Sequence, residues 1–145
     1  MKKITAVLCI LAIFACIPVT ALAAADGTTA KAVRFNEDGK LNIMHVTDSH
    51  LSAENLDDSV YLIAAACDRE QPDIVVITGD IAMADTVEET FRKTDALMNV
   101  FEERGIPVAV TFGNHDSESG VISREDLMAY FNSFSCSISV DDGEA

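Results

Sequence analysis

Apolar residues in this chain fall into two alternating kinds of block. Residues 41–47, 73–78 and 108–112 are short runs rich in Ile, Val and Met, the composition of strands. Between them, residues 56–70 and 87–104 repeat their apolar positions at helical spacing; Phe91, Thr94, Leu97, Met98 and Phe101 fall on one face. The helix boundaries carry their own signals. Asn55 stands where a cap for the first helix is needed, with Asp58 in its first turn, and Pro72 closes that segment. Thr86 and Glu89 have capping-box spacing, Gly105 suits a left-handed C-terminal stop, and Pro107 prevents the helix resuming. Strand–helix–strand–helix order predicts an α/β fold with a largely parallel sheet.

The ends of the pattern are weaker. Residues 32–35 and 41–47, joined through Asp38-Gly39, predict a hairpin. The uninterrupted β-branched run 73–78 predicts a strand buried on both faces. Ser123 with Asp126 predicts a further helix to about Ser133, and Phe134, Cys136, Ile138 and Val140 then alternate as a half-exposed strand would.

Chemistry enters at the strand ends. The run 41–47 leads into Asp48-Ser49-His50, 73–78 into Gly79-Asp80, and 108–112 into Gly113-Asn114-His115-Asp116. Ligands in open α/β sheets bind at the carboxyl ends of strands, so Asp48, His50, Asp80, Asn114, His115 and Asp116 share one sheet edge. Asp48 and His50, one residue apart, can reach one cation, and carboxylate with imidazole suits zinc, iron or manganese. Asp80, after a glycine that lets the chain turn, is the candidate to bridge two ions, and Asn114 adds a neutral oxygen for the second. His115 is then free to give a proton to substrate, with Asp116 to orient its ring and raise its pKa. Two metal ions about 3.5–4 Å apart would polarise a phosphoryl group and activate a hydroxide for in-line attack. Each motif alone is common in turns. Their order, with 32 residues from Asp48 to Asp80 and 34 from Asp80 to Asn114, makes each interval one crossover unit long.

Charge and the N-terminus place the protein. Lys2 and Lys3, the apolar run 4–19 and Ala21-Leu22-Ala23 read as a secretory signal peptide over residues 1–23, cleaved before Ala24 and followed by a linker over 24–30. The run is shorter than the roughly 20 residues of a membrane span, so no stable membrane anchor is expected. Bulky Phe14 disfavours the lipoprotein alternative, with Cys16 lipidated. The expected location is secreted or periplasmic. Without the leader, 8 bases face 24 acids, a formal charge of −16, which argues against nucleic-acid binding through bulk electrostatics. Cys67 and Cys136 form no disulfide framework, and Cys67 reads as core.

The three motifs together resemble the calcineurin-like metallophosphoesterase superfamily, over roughly residue 35 to the end. The segment Leu41 to Asp48, and Gly113 to Ser119 leading into Ser123-Arg124-Glu125, resemble its purple-acid-phosphatase-like branch. The resemblance implies the N-terminal half of a β-sandwich flanked by helices, over residues 31–145. It also implies a site with two divalent or trivalent ions (iron, manganese or zinc) acting on a small-molecule phosphoester. Asp48 and His50 would bind the first metal, Asp80 would bridge, Asn114 would bind the second, and His115 with Asp116 would be catalytic. Met83 stands where purple enzymes carry their iron-binding Tyr, so a tyrosinate–iron site is not expected. A 5′-nucleotidase fits less well, because its Gly-Asn-His-Glu-Phe-Asp run differs from Gly113 to Glu118.

The family's later His and Gly-His-x-His have no counterpart here, since the histidines are His45, His50 and His115. His45, inside a strand, reads as structural. A fragment, inactive alone, is therefore expected. The competing reading is a non-catalytic exported fragment that binds divalent cations weakly.

Overall fold

The computed structural model of the protein describes residues 33–82 and 86–140. The expected signal peptide and linker, Ala32, Met83 and the acidic residues 141–145 lie outside the described residues. Three parallel strands, β1 (Ile43–Val46), β2 (Ile74–Ile77) and β3 (Val108–Val110), lie in the order β1-β2-β3. Val46 pairs with Ile77, and Ile77 with Val110, so all three strands finish level with one another. Helix α1 (Leu56–Glu70) connects β1 to β2, α2 (Val87–Arg104) connects β2 to β3, and α3 (Arg124–Phe131) follows. The α/β class and parallel sheet stand as expected. No helix among the described residues is long and apolar enough to cross a membrane.

The signals that bound α2 act as the sequence indicates. The Thr86 hydroxyl accepts from the Glu89 N–H, and Gly105 ends the helix in the left-handed region at φ 59°. Its inward face buries Thr94, Leu97, Met98 and Phe101, and the last three join Val75, Ile77, Val108, Val110, Leu127 and Phe131 in one core. Phe91 is only half-buried and stacks on Tyr130, whose hydroxyl donates to Asp95 (2.6 Å), fastening α3 to α2. Cys67 is buried in this core, as expected.

Four expectations need correction. The hairpin is absent among the described residues: 33–36 form no strand, and Phe35 is exposed. The turn itself exists, with the Asn36 side chain accepting from the Lys40 N–H (2.8 Å), but β1 takes its partner from β2. Asn55 does not cap α1; its amide serves the preceding loop instead. Helix α3 stops at Phe131, and the strand expected over 134–140 reduces to one parallel bridge between Ser137 and Val108. There the Val108 N–H donates to the Cys136 carbonyl and the Ile138 N–H to the Val108 carbonyl, each at 2.8 Å. The Glu102 carboxylate on α2 accepts from the Ser135 hydroxyl (2.6 Å) and the Cys136 N–H (2.8 Å), which fixes where that segment lies.

Strand β2 is the fourth. Val75 and Ile77 are fully buried, whereas Ile74 and Val76 are half-buried. By register the second face also carries Ile43, which is 55% exposed, and His45. The helices of the described residues thus cover one face only. We predict that Ile77→Ala costs about 2–5 kcal/mol, the usual range for a fully buried Ile, and Ile74→Ala well under half of that. Chemical denaturation of the two variants would test this; equal losses would show the second face to be packed as tightly as the first.

Candidate metal centre

Level parallel strands deliver their following turns to one place. The Asp48 N–H donates to the Gly79 carbonyl (3.1 Å), the His50 N–H to the Asp80 carbonyl (2.9 Å) and the Leu51 N–H to the Ile81 carbonyl (2.8 Å), so the turn after β1 runs along the turn after β2. The Ser49 hydroxyl adds a bond to the Ile81 carbonyl (3.0 Å). Asn55 finishes the loop, donating to the His50 carbonyl (3.2 Å) and accepting from the Ser52 N–H (2.8 Å).

Within this frame Asp48, His50 and Asp80 converge, each offering a ligand atom within 4.8 Å of the others. The backbone is bent to achieve it. Four non-glycine residues among those described have positive φ, and three of them are Asp48 (52°), His50 (40°) and Asp80 (51°). Asp and His enter this region more readily than branched residues, yet each instance still costs energy, about 1–3 kcal/mol by typical values. Such strain persists where surrounding contacts over-determine it, here the inter-turn hydrogen bonds.

The turn after β3 meets that of β2 at backbone level. A Cβ on Gly79 would overlap the Gly113 nitrogen, and one on Gly113 would overlap the Asp80 carboxylate, so both positions require glycine. The His115 N–H donates to Asp80 Oδ1 (2.9 Å), and the His115 ring lies edge-on to that of His50 with centroids 5.6 Å apart. Asn114 is exposed and precedes the 3₁₀ turn His115–Ser117 without capping it. His45 stands apart, its Nε2 bonded to the Thr78 hydroxyl (2.6 Å).

The role expected of Asp116 falls to another residue. Asp116 is 7% exposed, and its carboxylate accepts from the backbone N–H groups of Asp80, Ile81 and Gly113 at 2.7–2.8 Å. The partner of the His115 Nδ1 is Glu118. A 3₁₀ turn stacks residues i and i+3, which brings Glu118 and not the adjacent Asp116 beside the ring. The Glu118 carboxylate holds the His115 pKa above its ordinary value of 6.5, with smaller help from Asp80 and Asp116. Glu118 and Asn55 were not among the residues expected at the site. For Glu118 the readable signal is His-x-x-Glu spacing in a helical turn.

The donor set fits a metal ion. Two carboxylates and an imidazole are the hard and borderline ligands that manganese, iron and zinc accept. Nδ1 of His50 is buried and has no hydrogen-bond partner among the described residues, an arrangement a neutral protein core ordinarily avoids. Beyond His115 a cleft of about 480 Å³ opens between the turns and the start of α2, bordered by Glu54, Lys93 and Glu118. A cavity of about 500 Å³ at the other end of the sheet lacks such a set; its Asp68 carboxylate is bonded to Arg104 (2.7 and 3.0 Å).

Comparison with known proteins agrees with the geometry. An uncharacterised metallophosphoesterase of Aquifex aeolicus is 30% identical over 91 residues, covering 61% of this chain and 33% of its own length. A probable inactive purple acid phosphatase of Arabidopsis thaliana is 26% identical over 123 residues, 74% of this chain and 31% of the relative. A probable cyclic nucleotide phosphodiesterase of Psychrobacter arcticus is 32% identical over 110 residues, 64% and 37% respectively. The matched region is thus about a third of the length of these relatives. The family model described as calcineurin-like phosphoesterase matches residues 41–142, which hold all three strand-end motifs. The chain belongs to the calcineurin-like phosphoesterase family.

Proposed function

We propose that the protein hydrolyses a small-molecule phosphoester at a dinuclear metal site, with Asp48, His50, Asp80 and Asn114 as ligands from this chain and Asp80 shared between the ions. The convergence of Asp48, His50 and Asp80 on strained backbone carries this reading. When bound there, the ions supply Lewis acidity towards the phosphoryl oxygens and lower the pKa of a water nucleophile. The chain's own residues do the rest. The inter-turn bonds hold the backbone of Asp48, His50 and Asp80 in place before substrate arrives. His115 keeps Nδ1 on Glu118, which leaves Nε2 to donate a proton to the leaving oxygen. The cleft beyond His115 gives the organic part of the ester room. The secreted location and signal peptide belong to the same proposal.

The name of the Arabidopsis relative, a probable inactive phosphatase, favours a second reading in which cations bind without turnover. Turnover by the full-length protein separates the two. Under the hydrolytic reading, Asp80→Ala abolishes metal-dependent hydrolysis of a chromogenic phosphoester together with metal binding. His115→Asn lowers turnover by roughly 10²–10⁴, the range of a lost general acid, with metal content retained. Near-normal turnover in Asp80→Ala would defeat the bridging assignment, and loss of metal in His115→Asn would make His115 a ligand.

The His115–Glu118 pair gives a pH signature. The folded pKa is raised, so the stabilisation it brings is fully present below the unfolded value and is lost as pH rises through the folded one. In the metal-free chain, NMR should find His115 titrating above 6.5, and Glu118→Gln should bring the midpoint down towards that value. An unchanged midpoint in Glu118→Gln would exclude Glu118 as the cause.

A further inference from the structure

The Asp116 carboxylate is engaged in an unusual way. It bonds the N–H of Asp80 at 2.8 Å and the N–H of Ile81 at 2.7 Å. These belong to the two peptide units on either side of the Asp80 Cα. Fixing both units fixes φ and ψ of the residue between them, and that residue sits at φ 51°. The third bond, from the Gly113 N–H (2.7 Å), attaches the same carboxylate to the turn after β3, from which the His115 N–H reaches Asp80 Oδ1. One buried side chain therefore sets the conformation of a candidate ligand and its distance from the substrate-facing histidine.

We propose that Asp116 is a positioning residue that sets the divalent-cation affinity of the Asp48–His50–Asp80 site by holding Asp80 in the left-handed region; this rests on the metal-binding reading above. Bonds to an ionised acceptor are shorter and stronger than neutral ones. An amide at this position has one accepting oxygen, and its NH₂ would face N–H donors. Asp116→Asn keeps the volume and cannot satisfy all three groups. Released from them, Asp80 relaxes towards ordinary φ and its carboxylate leaves the other two ligands.

The test is titration of the intact chain with Co²⁺, followed by visible absorption, for wild type, Asp116→Asn and Asp68→Asn. Asp68, bonded to Arg104 away from the site, controls for general loss of stability. Asp116→Asn should bind Co²⁺ about 10–100-fold more weakly, the usual effect of losing a residue that supports a ligand, with an altered absorption band. Asp68→Asn should match wild type. Unchanged affinity and spectrum in Asp116→Asn, or an equal loss in Asp68→Asn, would overturn the proposal. A wild-type chain that binds no Co²⁺ would overturn the metal reading itself, before any variant is compared. Amide hydrogen exchange on the metal-free wild type decides the matter if Asp116→Asn fails to fold. The Asp80, Ile81 and Gly113 amides should be protected, and exchange at unfolded-peptide rates would sink the clamp.

Discussion

The turns after β2 and β3 touch backbone to backbone, and the rest of the site depends on that contact. It needs glycine at 79 and 113, because a side chain at either would occupy the neighbouring turn. It brings the His115 N–H onto the Asp80 carboxylate. It also places three backbone donors around the buried Asp116 carboxylate. Buried N–H groups without acceptors are costly, so the approach of the two turns and the acid at 116 are physically inseparable. Gly79-Asp80 and Gly113-Asn114-His115-Asp116 act as a single structural unit formed by two distant pieces of sequence.

Strain and rigidity are complementary here. Asp48, His50 and Asp80 adopt a backbone conformation that isolated residues of their type avoid. The level strand ends and the run of inter-turn hydrogen bonds hold them in it. The core beneath, in which Val75, Ile77, Val108 and Val110 meet Leu97, Met98 and Phe101, fixes the strands that carry these turns. Sheet packing is therefore the remote cause of the geometry in which Asp48, His50 and Asp80 meet, and a core substitution that tilts β2 would reach the site through Gly79.

The sequence was most legible where local chemistry and topology agree. Parallel strands joined by single crossovers must end at one edge, so their position after successive strands was enough to assign Asp48, His50, Asp80 and His115 to one place. Thr86 and Gly105 marked the ends of α2 because capping is a local interaction. Legibility failed where two nearby groups compete for one partner. Asp116 and Glu118 are both acids beside His115; the geometry of the 3₁₀ turn, which no composition reveals, gives the ring to Glu118 and the backbone to Asp116. Asn55 resembled a cap, yet the loop before it offered the His50 carbonyl and Ser52 N–H as better partners. Apolar content also overstated burial of β2, since a β-branched run does not say what covers each face.

Asp48, His50 and Asp80 come close enough together to hold one metal ion. A crystal of this chain soaked in Mn²⁺, with anomalous scattering recorded, tests that directly. The expected result is an anomalous peak among the three side chains, about 2.0–2.2 Å from the carboxylate and imidazole atoms, the range zinc shows with such ligands, with a ring nitrogen of His50 pointing at it. Density elsewhere on the acidic surface, with none between these residues, would contradict it.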